Sequence, residues 1–163
     1  MVKTMETNQQ DITFNIVLFQ PEIPANTGNI GRLCLGANAT LHLIKPMRFI
    51  INDKYLQRAG LDYWEKVNVE IHDNLEELYK KNPHARFFYC TTKSKQLYTN
   101  VNYQKNDFFI FGPESRGIPE EILKQHWERT ITIPMSRQIR SLNLANSVAV
   151  ILYEALRQIN WNQ

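Results

Sequence analysis

The sequence predicts an α/β domain built on a mainly parallel sheet, and three observations predict it. Short runs rich in β-formers alternate along the chain with helical patterns. Several of these runs are apolar at every position, as strands covered on both faces are. Irregular loops carrying Gly, Pro and Asn follow the strands, where ligands of such sheets bind. The chain has 163 residues, so one domain is expected: a polar tail over 1–13, then the folded domain over 14–163.

The elements follow in order. FNIVLF (14–19) reads as a buried strand stopped by Pro21. PEIPANTGN reads as a loop in which Gly28 makes a tight turn and Asn26 or Thr27 caps the helix that follows. That helix is expected over about 29–37, with Ile30, Leu33, Cys34 and Ala37 at helical spacing. A second strand is expected at 41–44, ended by Pro46. Residues 53–65 read as helical turns bearing Lys54 and Arg58, and 67–71 alternates as a strand. Asp73 or Asn74 is placed to cap LEELYKK. Strands are expected at 86–92 and 107–111. GPESRGIP is then a loop, PEEILKQ a helix with Pro119 near its first turn, and TITI (130–133) a strand closed by Pro134. A last helix over about 143–159 puts Leu144, Val148, Ile151, Leu152, Ala155 and Ile159 on one face.

Composition narrows the function classes. With 43% hydrophobic and 21% charged residues, the chain can bury a core and is not disordered overall. No apolar run approaches the roughly 20 residues of a membrane helix, and the N-terminus lacks the apolar centre of a secretory signal. Cys34 and Cys90 sit in apolar runs and read as buried free thiols. His42, His72, His84 and His126 are scattered with no ligand spacing, so no metal is expected. These points predict a reducing, cytoplasmic setting. A net charge of +3 and a pI near 8.9 permit a polyanionic partner. Neither GxGxxG nor GxxxxGK[ST] is present, which argues against a dinucleotide site and a P-loop.

Three loops hold the concentrated chemistry. NTGN carries Asn26, and Arg32 stands in the helix behind it. FGPESRGIP packs two glycines, two prolines and Glu114 into nine residues, a composition that brings backbone groups close to a flat ligand. IPMSRQIRSLN leads into the last helix, where Ser141, Asn143, Asn146 and Ser147 add polar groups. Each loop alone also fits ordinary turn and capping chemistry.

Together and in this order, PEIPANTGNIGRLC, LHLIKP, RAGLDYWE, TTK, FGPESRGIP and IPM…RSLNLANSVAV…YEALRQ resemble the motifs of the SPOUT methyltransferases. The likeness is greatest to the TrmL-type enzymes, which methylate the ribose 2'-hydroxyl of the tRNA wobble nucleotide, and it spans about residues 14–159. It implies a SPOUT fold with a C-terminal trefoil knot and an obligate homodimer with active sites at the subunit interface. It implies S-adenosylmethionine as methyl donor, leaving S-adenosylhomocysteine, with no metal. The implied substrate is tRNA rather than DNA, at C34 or modified U34 of leucine tRNA. Donor-binding positions fall on Cys90, Gly112, Ile133, Ser141, Leu142 and Asn143. The catalytic position falls on Arg32, with Asn26 and Glu114 positioning it or the ribose. Arg140, Tyr153 and Arg116 fall on RNA-facing or dimer positions. The loop before RSLN is one residue shorter than usual, with Ile139 where a serine is common. Another tRNA or rRNA position, or a non-catalytic RNA-binding dimer, are the alternatives.

Overall fold

A computed structural model of the chain describes residues 11–50 and 62–162. The helical turns expected over 53–65, with Lys54 and Arg58, fall mostly outside the described residues. Six strands form one sheet: β1 (Asn15–Phe19), β2 (Thr40–Ile44), β3 (Val69–His72), β4 (Phe87–Cys90), β5 (Phe108–Phe111) and β6 (Thr130–Ile131). Their spatial order is β3-β2-β1-β5-β4-β6, and each pairing is parallel. Among the described residues the α-helices are α1 (Pro24–Gly36), α2 (Leu75–Lys81), α3 (Glu120–Gln125) and α4 (Leu144–Gln158).

The apolar strands are buried on both faces, as their sequences require. Every residue of β1, β2 and β5 is buried. Alternation sends Ile16, Leu18 and Phe109 into one core with Ile30, Cys34, Val148, Ile151 and Leu152 of α1 and α4. It sends Val17, Phe108 and Ile110 into a second core with Leu75, Leu78, Tyr89 and Leu123. Burying each large aliphatic side chain contributes about 1.5–3 kcal/mol, so the central strands anchor both layers.

Three expectations need correction. The first helix begins at Pro24, not near 29. Proline suits the first helical position, because the missing N–H would be unpaired there anyway. The N-cap is therefore Ile23, with no side-chain cap, and Asn26, Thr27 and Gly28 lie buried inside the helix. Next, the strand expected at 130–133 is only Thr130–Ile131, because Thr132 pairs with the 96–98 segment, giving its N–H to the Gln96 carbonyl and taking the Tyr98 N–H. Finally, the histidines are not all scattered. His42 on β2 and His72 on β3 converge beneath the sheet with Glu70. Burial pulls His72 below the ordinary imidazole range.

Other local readings hold. Asn74 caps α2, its Oδ1 accepting the Glu77 N–H at 2.9 Å. Asn143 caps α4 in the same way, accepting from the Asn146 N–H. Cys34 and Cys90 are free thiols. Gly31 has a packing reason, since a Cβ there would meet the Trp64 ring at 2.3 Å.

Candidate active site

Beyond the carboxyl ends of β4, β5 and β6 lies a cavity of about 460 Å³, within the range of small-molecule sites. Of the residues expected to bind a donor, Cys90, Gly112, Ile133, Ser141, Leu142 and Asn143 all line it. They come from three segments far apart in sequence: the end of β4, the loop after β5, and the approach to α4. Asn26, Glu114 and Arg116 line it as well. Arg32, Arg140 and Tyr153 do not belong to its wall; all three are exposed.

A polar chain ties the loops together. Glu114 Oε2 accepts the Glu22 N–H at 2.8 Å, and its Oε1 accepts the Ile23 N–H at 3.1 Å. Asn26 Nδ2 donates to Glu114 Oε1 at 3.4 Å, while Asn26 Oδ1 accepts from Asn143 Nδ2 at 3.2 Å. The loop carboxylate thus serves the N-terminus of α1 in place of a local cap, where the helix dipole also favours a negative charge. Asn26 then hands the connection on to the start of α4. Arg116 sits beside this junction, donating to Gln20 Oε1 at 3.2 Å and lying 3.9 Å from Glu22.

Two glycines shape the loop after β5. A Cβ on Gly112 would come within 2.2 Å of the Gly117 carbonyl carbon and the Ile118 nitrogen, both backbone atoms that cannot step aside. Gly117 has φ of +69°, a left-handed conformation that side chains disfavour. The loop consequently folds back on itself and turns its backbone toward the cavity. Phe111, Ile118, Ile131, Ile133, Leu142 and Ile151 supply apolar walls. Thr91, Thr132 and Ser147 add hydroxyls; the first two directly follow β4 and β6, which end earlier than the sequence suggests. Burial pushes the Cys90 thiol well above its usual range, so it meets a ligand as a neutral, weakly polar group and not as a thiolate.

Arg32 stands elsewhere on α1. Its guanidinium lies 5.7 Å from the centre of the Tyr63 ring, and Tyr63 donates its hydroxyl to the Gly28 carbonyl at 3.1 Å. Tyr63 is thus a neighbour of Arg32 that sequence spacing could not supply.

Comparison with known proteins gives this geometry its class. The sequence profile described as the SpoU rRNA Methylase family matches residues 13–153. The chain belongs to the SpoU rRNA Methylase family. Among its relatives, the tRNA (cytidine(34)-2'-O)-methyltransferase of Methylovorus glucosotrophus (strain SIP3-4) is 51% identical over 146 residues, 89% of this chain and 95% of its own. The Yersinia pestis protein of the same name is 48% identical, over 90% of this chain and 94% of its own. A solved structure described as "Structural insights into the 2-OH methylation of C/U34 on tRNA" superposes with a TM-score of 0.84 at 40% identity, covering 90% of this chain and 96% of that one.

Proposed function

We propose that this chain is an S-adenosylmethionine-dependent methyltransferase acting on the ribose 2'-hydroxyl of the wobble nucleotide, C34 or U34, of leucine tRNA, as a cytoplasmic homodimer. The observation that carries the reading is the Glu114–Asn26–Asn143 chain. It draws three separated loops around one cavity with apolar walls and a hydroxyl-bearing rim. The near full-length likeness to proteins named for this reaction supplies the substrate.

The residues present suit such a donor. Apolar walls at Ile118, Ile133 and Leu142 accept a flat base, and Ser141, Asn143 and Thr91 offer groups for a ribose and an amino acid. When bound, the donor supplies an electrophilic methyl group, so the protein's task is chiefly alignment and charge stabilisation. Asn26 and Glu114 set the position of α1 and hence of Arg32, which the helix carries. A guanidinium is a poor proton acceptor; Arg32 orients phosphate and ribose and stabilises the charge growing on the attacking oxygen. Arg140, Tyr153 and Arg116 contact RNA or the second subunit.

Homodimerisation rests on two features. Arg32, Arg140 and Tyr153 lie outside the cavity wall of their own subunit, so a site containing them is completed by a second copy. In addition, the packed pair α1 and α4 leaves Ile23, Leu35, Val150 and Tyr153 between 36% and 49% exposed, an apolar surface that association would cover. The C-terminal knot belongs to the same reading and is supported by the family likeness.

Labelled-methyl transfer into bulk tRNA, with nucleoside mass spectrometry, tests the proposal. A 2'-O-methyl nucleoside at position 34 is the expected product; label elsewhere, or none, overturns it. Arg32→Ala is expected to lower turnover at least a hundredfold while donor binding by calorimetry persists.

A further inference from the structure

Toward the sheet edge opposite β6, β2 and β3 bring together a second set of chemically able side chains, with the His42 ring 5.2 Å from that of Phe108 at the start of β5. His42 pairs with Glu70 in the parallel register, and His72 follows Glu70 by two residues, so all three share one face. His42 Nδ1 and His72 Nε2 are 3.0 Å apart. Glu70 Oε2 lies 3.4 Å from the first and 3.7 Å from the second. Four ligands at about 2.0–2.1 Å from a zinc ion have edges of roughly 3.3–3.4 Å, so these three atoms already approximate one face of such a tetrahedron.

A second, independent observation fixes the histidine tautomer. Asn15 Nδ2 donates to the Asn106 carbonyl at 3.0 Å, which turns Asn15 Oδ1 toward His42 Nε2 at 2.9 Å. That nitrogen is therefore the protonated one, and the lone pair of Nδ1 points into the triangle. An outer hydrogen bond that fixes the ring in this way is the usual support of a metal-binding histidine. His42 and His72 are buried while Glu70 is about half exposed, leaving the fourth side open to water. Lys81, whose field reaches both His72 and Glu70, is itself paired with Glu77 at 3.1 Å.

From this geometry we infer that His42, Glu70 and His72 form a binding site for a divalent transition-metal cation of the zinc class, with water as fourth ligand. Without a cation, His72 donates its Nε2 proton to His42 Nδ1; on binding, His72 takes the other neutral tautomer, its proton on the buried Nδ1 that has no hydrogen-bond partner among the described residues, and the ion sits between the two rings. The ion ties edge strand β3 to β2 and takes no part in methyl transfer. The i, i+2 pair Glu70-Ile71-His72 was visible in the sequence, but the third ligand lies 28 residues earlier and enters only through strand pairing.

Tag-free, chelator-stripped protein titrated with Co²⁺ alone is expected to show the intense visible bands of tetrahedral coordination at one ion per chain. Competition by Zn²⁺ is expected to remove them, and Zn²⁺ to raise the melting temperature. Glu70→Gln, at an exposed position, keeps the fold by circular dichroism and weakens uptake at least tenfold, whereas His84→Gln, at an exposed histidine outside the triangle, leaves it unchanged. Absence of saturable one-to-one uptake overturns the inference. So does uptake that Glu70→Gln leaves intact, or that His84→Gln reduces equally.

Discussion

Both carboxylate oxygens of Glu114 are occupied by the N–H groups of Glu22 and Ile23, the two residues that lead into α1, which decides what a substitution there does. Glu114→Gln keeps one acceptor but loses the charge beside a helix N-terminus. It is expected to lower stability by about 1–2 kcal/mol and to weaken donor binding through the disturbed cavity edge; chemical denaturation and calorimetry measure the two effects. Gly112→Ala drives a methyl group into backbone that cannot yield and is expected to abolish donor binding. The importance of Gly112 and Glu114 was legible in FGPESRGIP, because so many constrained residues in one loop need a reason. The partner of Glu114 was not: it lies 91 and 92 residues away, and spacing along a chain carries no information about that meeting. Arg116 is a comparable case, because its neighbours Gln20 and Glu22 lie far back along the chain, where spacing could not supply them.

Among the elements, strands were easier to read than helix starts. Apolar runs of four to six residues have few other uses, and β1, β2, β4 and β5 fall within a residue or two of their expected bounds. The start of α1 was misread because Pro24 and the asparagines look like loop chemistry, and the cap that allows an early start comes from Glu114. An element-scale pH effect follows from α3, which ends at His126. The His126 ring stacks on Tyr89 with centroids 4.5 Å apart, and burial pulls its pKa below that of a free imidazole. The unfolded chain therefore takes up this proton more readily than the native one. The contribution of His126 is fully present above the unfolded-state pKa and is lost as pH falls toward the folded-state value. Replacing His126 by Phe keeps the stack and is expected to flatten the acid-side loss of stability below about pH 6.5, seen as a smaller difference in melting temperature between pH 7 and pH 5 than in the parent.

At the scale of the molecule, the parallel α/β architecture was legible from alternation and apolar strands, and the cavity's lining residues from the family resemblance, while the bonds that join three distant loops into one wall were not. The exposed apolar side chains on α1 and α4 set a test of assembly. Leu35→Glu combined with Val150→Glu is expected to give monomers by light scattering and to abolish methyl transfer, with each subunit still folded. Turnover by a proven monomer would count against a shared site.

The bond from Asn143 to Asn26 spans 117 positions, and such distant pairings form late because loop closure must come first. A nascent chain therefore lacks a complete pocket until its last helix has docked. Affinity for the small molecule thereby reports whether maturation is finished, and partly built copies would neither sequester the methyl supply nor engage RNA productively.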